Sequence, residues 1–120
     1  MKTDSIARLI QDFGNESSRV IVLIGSTKFK EEFLEAGKLF TIHGHITMHT
    51  DVFSQADGYE ITEYQAHECM LASHRRIDIA ELFNGIVFVL NVDGYIGEST
   101  KEEIEYAIQQ GVRVEYLEPI

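Results

Sequence analysis

Carboxylates and hydroxyls are concentrated in residues 93–107, DGYIGESTKEEIEYA. This segment follows an apolar run, residues 85–90, that is typical of a buried strand in a parallel sheet. A glycine-rich turn between such a strand and a helix is where open α/β sheets bind ligands. The free N–H groups at a helix start attract anions, and the helix dipole favours a carboxylate there. The segment therefore offers a nucleophile, hydroxyls and an anion site.

An ordinary capped helix explains the same pattern. Ser99 or Thr100 would then be the N-cap residue, and Glu102 or Glu103 would close a capping box. The local spacing alone is compatible with both interpretations.

A second turn of this kind carries Gly25, Ser26 and Thr27, which follow the apolar run RVIVLI at residues 19–24. Their hydroxyls and N–H groups at a helix start could hold a 5′-phosphate. The alternative is that they only cap the helix that follows.

Apolar residues recur with helical and strand-like patterns that alternate along the chain. Helices are predicted at residues 3–13, 28–42 and 62–83, and a last helix from within the segment 93–107 to residue 110. Strands are predicted at 19–24, 45–49, 85–90 and 112–117, and a loop at 51–59. This alternation predicts βαβ units and a parallel sheet. We expect one α/β domain over residues 1–120, a flavodoxin-like or Rossmann-like sandwich with a four- to five-stranded sheet and helices on both faces. Residues 1–16 would be an N-terminal helical extension. A strand order of 2-1-3-4 would open both turns onto one crevice.

The composition is that of an ordinary globular domain, but the formal net charge is −10. Such a charge argues against binding to duplex nucleic acid, which requires a basic face. No apolar run approaches the roughly 20 residues of a membrane helix, and no secretory signal is recognisable. The single cysteine, Cys69, cannot form an intrachain disulfide. We therefore expect a cytoplasmic protein with no membrane partner.

The histidines do not form a metal-binding pattern. They are His43, His45, His49, His67 and His74. No pair combines the spacing of a helical zinc site with a partner motif, and the only cysteine stands alone. We expect neither a metal site nor a cofactor.

Three segments together resemble the nucleoside 2-deoxyribosyltransferase-like superfamily. They are IGSTKF at residues 24–29, HRRIDIAELFNGIVFVLN at 74–91 and GYIGESTKEEIEYA at 94–107. The resemblance covers residues 19–117. This superfamily includes deoxyribosyltransferases and N-glycosidases that cleave the base from a nucleoside monophosphate.

The resemblance implies roles for individual residues. Glu103 matches the nucleophile, which attacks C1′ and forms a glycosyl ester. Asp78 matches an acidic residue that contacts and protonates the leaving base. Gly25 and Ser26 match the turn that lines the sugar or phosphate site. From the residues alone, Glu103 could equally be a solvated helix glutamate, and Asp78 could pair with Arg75 at i,i+3.

Other residues of the last loop complete the expected site. Gly97 stands where the family usually has an Asp or Ser, and Ser99 lies close by in the sequence. Tyr95 could orient Glu103, stack on a base or simply pack. Arg75 and Arg76 could bind phosphate, although at least one is expected on the surface.

The resemblance implies cleavage of the N-glycosidic bond of a small-molecule nucleoside or nucleotide, or 2-deoxyribosyl transfer, in a homodimer or higher homo-oligomer. Two departures motivate an alternative. One is Gly97. The other is the C-terminal segment that in the family lends residues to a neighbouring subunit's site, because we expect no such segment beyond Ile120. The alternative function is a non-catalytic module that binds or sequesters a nucleotide.

Overall fold

Four strands alternate with helices in the computed structural model, which describes residues 1–120. The helices are α1 (Asp4–Phe13), α2 (Lys30–Thr41), α3 (Ser54–Asp57), α4 (Glu63–Leu82) and α5 (Glu98–Gln109), and the strands are β1 (Val20–Ile24), β2 (Ile46–Met48), β3 (Ile86–Val89) and β4 (Arg113–Tyr116). A short 3₁₀ turn, Val92–Gly94, follows β3. No helix combines the length and the apolar character needed to cross a membrane.

The sheet has the order β2-β1-β3-β4, and every neighbouring pair is parallel. This confirms the predicted α/β fold and strand order. β1 pairs with β3 from Ile21 opposite Ile86 to Ile24 opposite Val89. Both central strands are buried along their whole length, which explains their continuous apolar sequences.

Helices cover both faces of the sheet. Because side chains alternate along each strand, neighbouring residues of β1 belong to different cores. Ile21 and Leu23 pack in a core with α1 and α2, whereas Val22 and Ile24 pack in a second core with α4 and α5. The N-terminal helix belongs to the first core: its residues Ile6, Leu9 and Phe13 are buried there.

Most elements are one or two residues shorter at their ends than predicted. The predicted loop at 51–59 is different in kind, because it contains the helical turn α3. The N-cap residue of α4 is Thr62. Gln65 N donates to Thr62 Oγ1 at 3.1 Å, and Thr62 N donates to Gln65 Oε1 at 3.0 Å, which together form a capping box.

Gly85, immediately before β3, gives a test of how closely the central strands must approach. An added Cβ at Gly85 would overlap the carbonyl oxygen of Val20, so Gly85→Ala should lower the free energy of unfolding by about 1–3 kcal/mol. Gly37 in α2 is the matched control, because its added Cβ would meet Thr47 Oγ1 at an ordinary 3.8 Å. Gly37→Ala should raise stability by up to about 1 kcal/mol through helix propensity. Urea denaturation measures both, and an unchanged Gly85→Ala protein would contradict the packing argument.

Candidate functional site

A cavity of about 410 Å³ opens at the carboxyl ends of β1 and β3. Its size is in the range of small-molecule sites. Seven residues selected from the sequence line it: Gly25, Ser26, Thr27, Tyr95, Gly97, Ser99 and Glu103. The two turns that follow β1 and β3 therefore meet at one site, as the strand order predicts. The remaining walls come from α4 and from the segment between β2 and α4.

Glu103 lies in the second turn of α5, half-buried at the wall of the cavity. The Ser73 hydroxyl, which comes from α4, donates a short hydrogen bond to Glu103 Oε2. Burial raises the pKa of the Glu103 carboxyl above its ordinary value, while the Ser73 hydrogen bond and the charge of Arg76 oppose this rise. Glu103 is thus a carboxylate in a partly desolvated cavity, with one oxygen bound and the other without a protein partner.

The start of α5 contributes backbone donors to the cavity. Gly97 occupies the N-cap position without a side-chain cap, and the first intrahelical bond is donated by Lys101 N to Gly97 O. The prediction of Ser99 or Thr100 as N-cap, with a capping box through Glu102 or Glu103, is therefore wrong. Ser99 and Thr100 are the second and third residues of the helix. N–H groups in the first turn of a helix have no intrahelical acceptor and are free to bind an anion.

Asp78 is not among the residues that line the cavity. Its Oδ1 accepts a 2.7 Å hydrogen bond from the Tyr106 hydroxyl of α5, which does not line the cavity either. Asp78 makes no ion pair with Arg75, which is exposed. The Tyr106 ring stacks on His74 at 3.9 Å between centroids. The structure therefore separates the two carboxylates that the sequence places in one site.

The turn after β1 is tied to α3 by side-chain hydrogen bonds. The Ser26 hydroxyl donates to Gln55 Oε1 at 2.8 Å, and Gln55 N donates to Thr27 Oγ1 at 3.3 Å. The Ser54 hydroxyl lies 3.4 Å from Thr27 Oγ1. Both hydroxyls proposed for phosphate thus already hold the segment that covers one side of the cavity.

Tyr95 stands at the cavity wall with a partner that the sequence does not predict. The Lys28 ammonium lies 3.5 Å from the centroid of its ring, a close cation–π contact. No hydrogen bond joins the Tyr95 hydroxyl to Glu103, whose partner is Ser73. Tyr95 therefore helps to close the wall rather than orienting the carboxylate.

Cys69, Ser73 and Arg76 of α4 form one wall of the cavity, and sequence reasoning missed the first two. They recur at i, i+4 and i+7 along α4 and all line the cavity. The signal was present, since this spacing places them on one helix face next to the buried Ile77 and Ala80. Arg76 was considered as a phosphate ligand, but nothing linked Ser73 to Glu103.

The histidines are dispersed. No group of three or more His, Cys, Asp and Glu side chains is arranged to hold a metal ion. His45 is buried, and burial lowers the pKa of its imidazole, with the nearby His43 and Arg19 adding to this effect. Its Nδ1 accepts a 3.3 Å hydrogen bond from Arg19 N, so it has a structural partner.

No protein-family model, curated protein or solved structure matches this chain significantly.

The electrostatics of Glu103 lead to a titration experiment. The Glu103 carboxyl should titrate above the ordinary range of glutamate, and Ser73→Ala should raise its pKa further, because the lost hydrogen bond favours the ionised form. Carboxyl-detected NMR of ¹³C-labelled protein measures this titration, with the exposed Ser17→Ala as control. A lower Glu103 pKa in Ser73→Ala would contradict the assigned contact.

Proposed function

We propose that this protein cleaves or transfers the N-glycosidic bond of a nucleoside or nucleotide, with Glu103 as the nucleophile. The observation that carries the proposal is the Glu103 carboxylate in a ligand-sized cavity, fixed by Ser73 and near the charge of Arg76. A desolvated, oriented carboxylate is suited to attack on a sugar carbon. The sequence resemblance supports the same role for this residue.

In the proposed reaction, an oxygen of Glu103 forms a bond to C1′ while the bond from C1′ to the base nitrogen breaks. The electron pair stays on the base nitrogen, which takes a proton from water and leaves hydroxide. Water or an incoming base then attacks C1′ of the glycosyl ester, gives its proton to this hydroxide and releases Glu103 as a carboxylate, with net retention of configuration. Asp78 has no place in these steps, because it lies outside the cavity.

A phosphate group of the substrate would bind at the start of α5. The free N–H groups of Ser99 and Thr100 offer donors there, and the helix dipole favours an anion. This favours nucleotides over nucleosides as substrates. It also reconciles an anionic ligand with an acidic protein, because backbone donors need no excess of basic side chains.

The alternative is a module that binds or sequesters a nucleotide without turnover. The position of Asp78 favours it, since the carboxylic acid expected to protonate the leaving base is absent from the cavity. The two functions share the site and differ only in whether the base is released.

Base release distinguishes these functions. Purified protein is incubated with ribo- and 2′-deoxyribonucleosides and their 5′-monophosphates, and free base is measured by chromatography. Glu103→Gln should reduce release by roughly a thousandfold or more, because the attacking group is lost. Glu105→Gln, on the exposed side of the same helix, should remain active. A fully active Glu103→Gln protein would exclude the mechanism, and tight binding without release would establish the alternative.

We further propose that the protein forms a homo-oligomer, as the resemblance implies, and that it is cytoplasmic, as its single cysteine favours. Tyr64, Leu71 and Leu82 of α4 are exposed and recur along one stripe of the helix. Such a stripe is suited to a contact between subunits. Light scattering after size-exclusion chromatography should give at least twice the chain mass, and Leu82→Lys should reduce it. A monomer at high protein concentration would refute this assembly.

A further inference from the structure

Thr100 carries one of only two buried side-chain polar atoms that lack a hydrogen-bond partner, and the other is Arg19 Nε. The residue is 1% exposed, and its Oγ1 has neither protein partner nor solvent. A dry, unpaired hydroxyl is unfavourable, and native proteins rarely keep one without a reason. Capping does not explain it, because α5 has no side-chain cap.

Thr100 lies one helical turn before Glu103, and both residues line the cavity. Residues three apart on a helix are neighbours on its surface. Threonine in a helix populates two χ1 rotamers, so its Oγ1 can change position without moving the helix. A ligand group that reaches Glu103 therefore meets the Thr100 side chain next.

The proposed reaction indicates which group of the substrate would lie next to Thr100. When C1′ of a ribosyl group faces the Glu103 carboxylate, the 2′-substituent is bonded to the adjacent carbon and lies beside the nucleophile. In retaining glycosidases, hydrogen bonds to the 2-hydroxyl strengthen in the transition state and contribute substantially to the rate. The nearby Ser73 hydroxyl already donates its proton to Glu103, which leaves Thr100 as the buried hydroxyl of the cavity with no hydrogen-bond partner.

We propose that Thr100 recognises the 2′-hydroxyl of the sugar, so that the site takes ribonucleosides or ribonucleotides in preference to their 2′-deoxy counterparts. The inference rests on the proposed function, since it assumes that C1′ is placed at Glu103. A 2′-deoxy sugar would leave the buried hydroxyl unpaired in the complex, and sites that are built to pair a substrate hydroxyl discriminate strongly against its absence.

The experiment uses the four ribonucleoside 5′-monophosphates and their 2′-deoxy counterparts as matched probes. The wild type should prefer the ribose member of the best pair by roughly 10- to 100-fold in kcat/KM. Thr100→Val should abolish this preference by slowing the ribose substrate, with little change for the deoxy substrate, and Thr100→Ser should keep it. Thr100→Val should also raise the Tm of the free protein, because it removes an unpaired buried hydroxyl.

Thr41→Val is the control for the substitution itself, because Thr41 is exposed at the end of α2. It should leave the sugar preference unchanged. A wild type that prefers 2′-deoxy substrates, or has no preference, overturns the role of Thr100 while leaving the proposed function intact if Glu103→Gln abolishes base release.

If no substrate loses its base, the proposed function fails and calorimetric binding of the same pairs decides the role of Thr100. Tighter binding of the ribose member that is lost in Thr100→Val supports that role. Equal affinities, or no binding of either member, overturn it.

Discussion

β1 and β3 lie side by side and run in the same direction, and this pairing brings the two ligand turns to one edge of the sheet. The ladder continues one step past the strands, where Leu90 N donates to Ile24 O at 2.8 Å. Beyond that point the backbones remain close, since a Cβ added at Gly25 would lie 3.2 Å from the Leu90 carbonyl oxygen. A glycine at this position therefore lets the turn after β1 pass close to the end of β3, where both turns line the cavity.

The sequence was sufficient for the fold because its strongest signals were produced by burial. Residues 20–24 and 86–90 are apolar throughout since both faces of β1 and β3 are covered, with Gly25 after the first run and Gly85 before the second. α3 was missed because four residues have no periodicity. Its position depends on contacts distant in sequence, such as the ion pair of Lys30 with Asp57 at 2.8 Å.

The sequence predicted the cavity residues whose position is set by the turns after the strands. It missed those whose position depends on how α4 is rotated about its axis. Gly25 and Gly97 follow strand ends, so the topology alone takes them to the crevice. Which face of α4 meets the cavity is set by packing, and its sequence obscures this, because Ser73 is buried while Leu82 is exposed. A family pattern therefore drew attention to Asp78, whereas the residue that touches Glu103 is Ser73.

Two neighbouring pairs of side chains join α4 to α5. One pair lines the cavity, and the other, the outer pair, does not. Ser73 contacts Glu103 on the cavity side, and His74 Nε2 lies 2.9 Å from Glu102 Oε1 on the outer side. The outer pair is extended by Tyr106, whose hydrogen bond to Asp78 raises the pKa of the phenol and keeps its proton in place as the donor.

This network joins α5 to α4 beside Glu103, whose carboxyl is partly desolvated at the cavity wall. Burial makes that position costly. The stability gained from the protonated carboxyl is present below the ordinary pKa of glutamate and is lost as the pH rises through the raised pKa of Glu103. The Ser73 hydrogen bond and the Arg76 charge favour the ionised form and offset part of this cost. Asp78 accepts a hydrogen bond from Tyr106 and therefore helps to join α4 to the helix that carries Glu103, without lining the cavity itself.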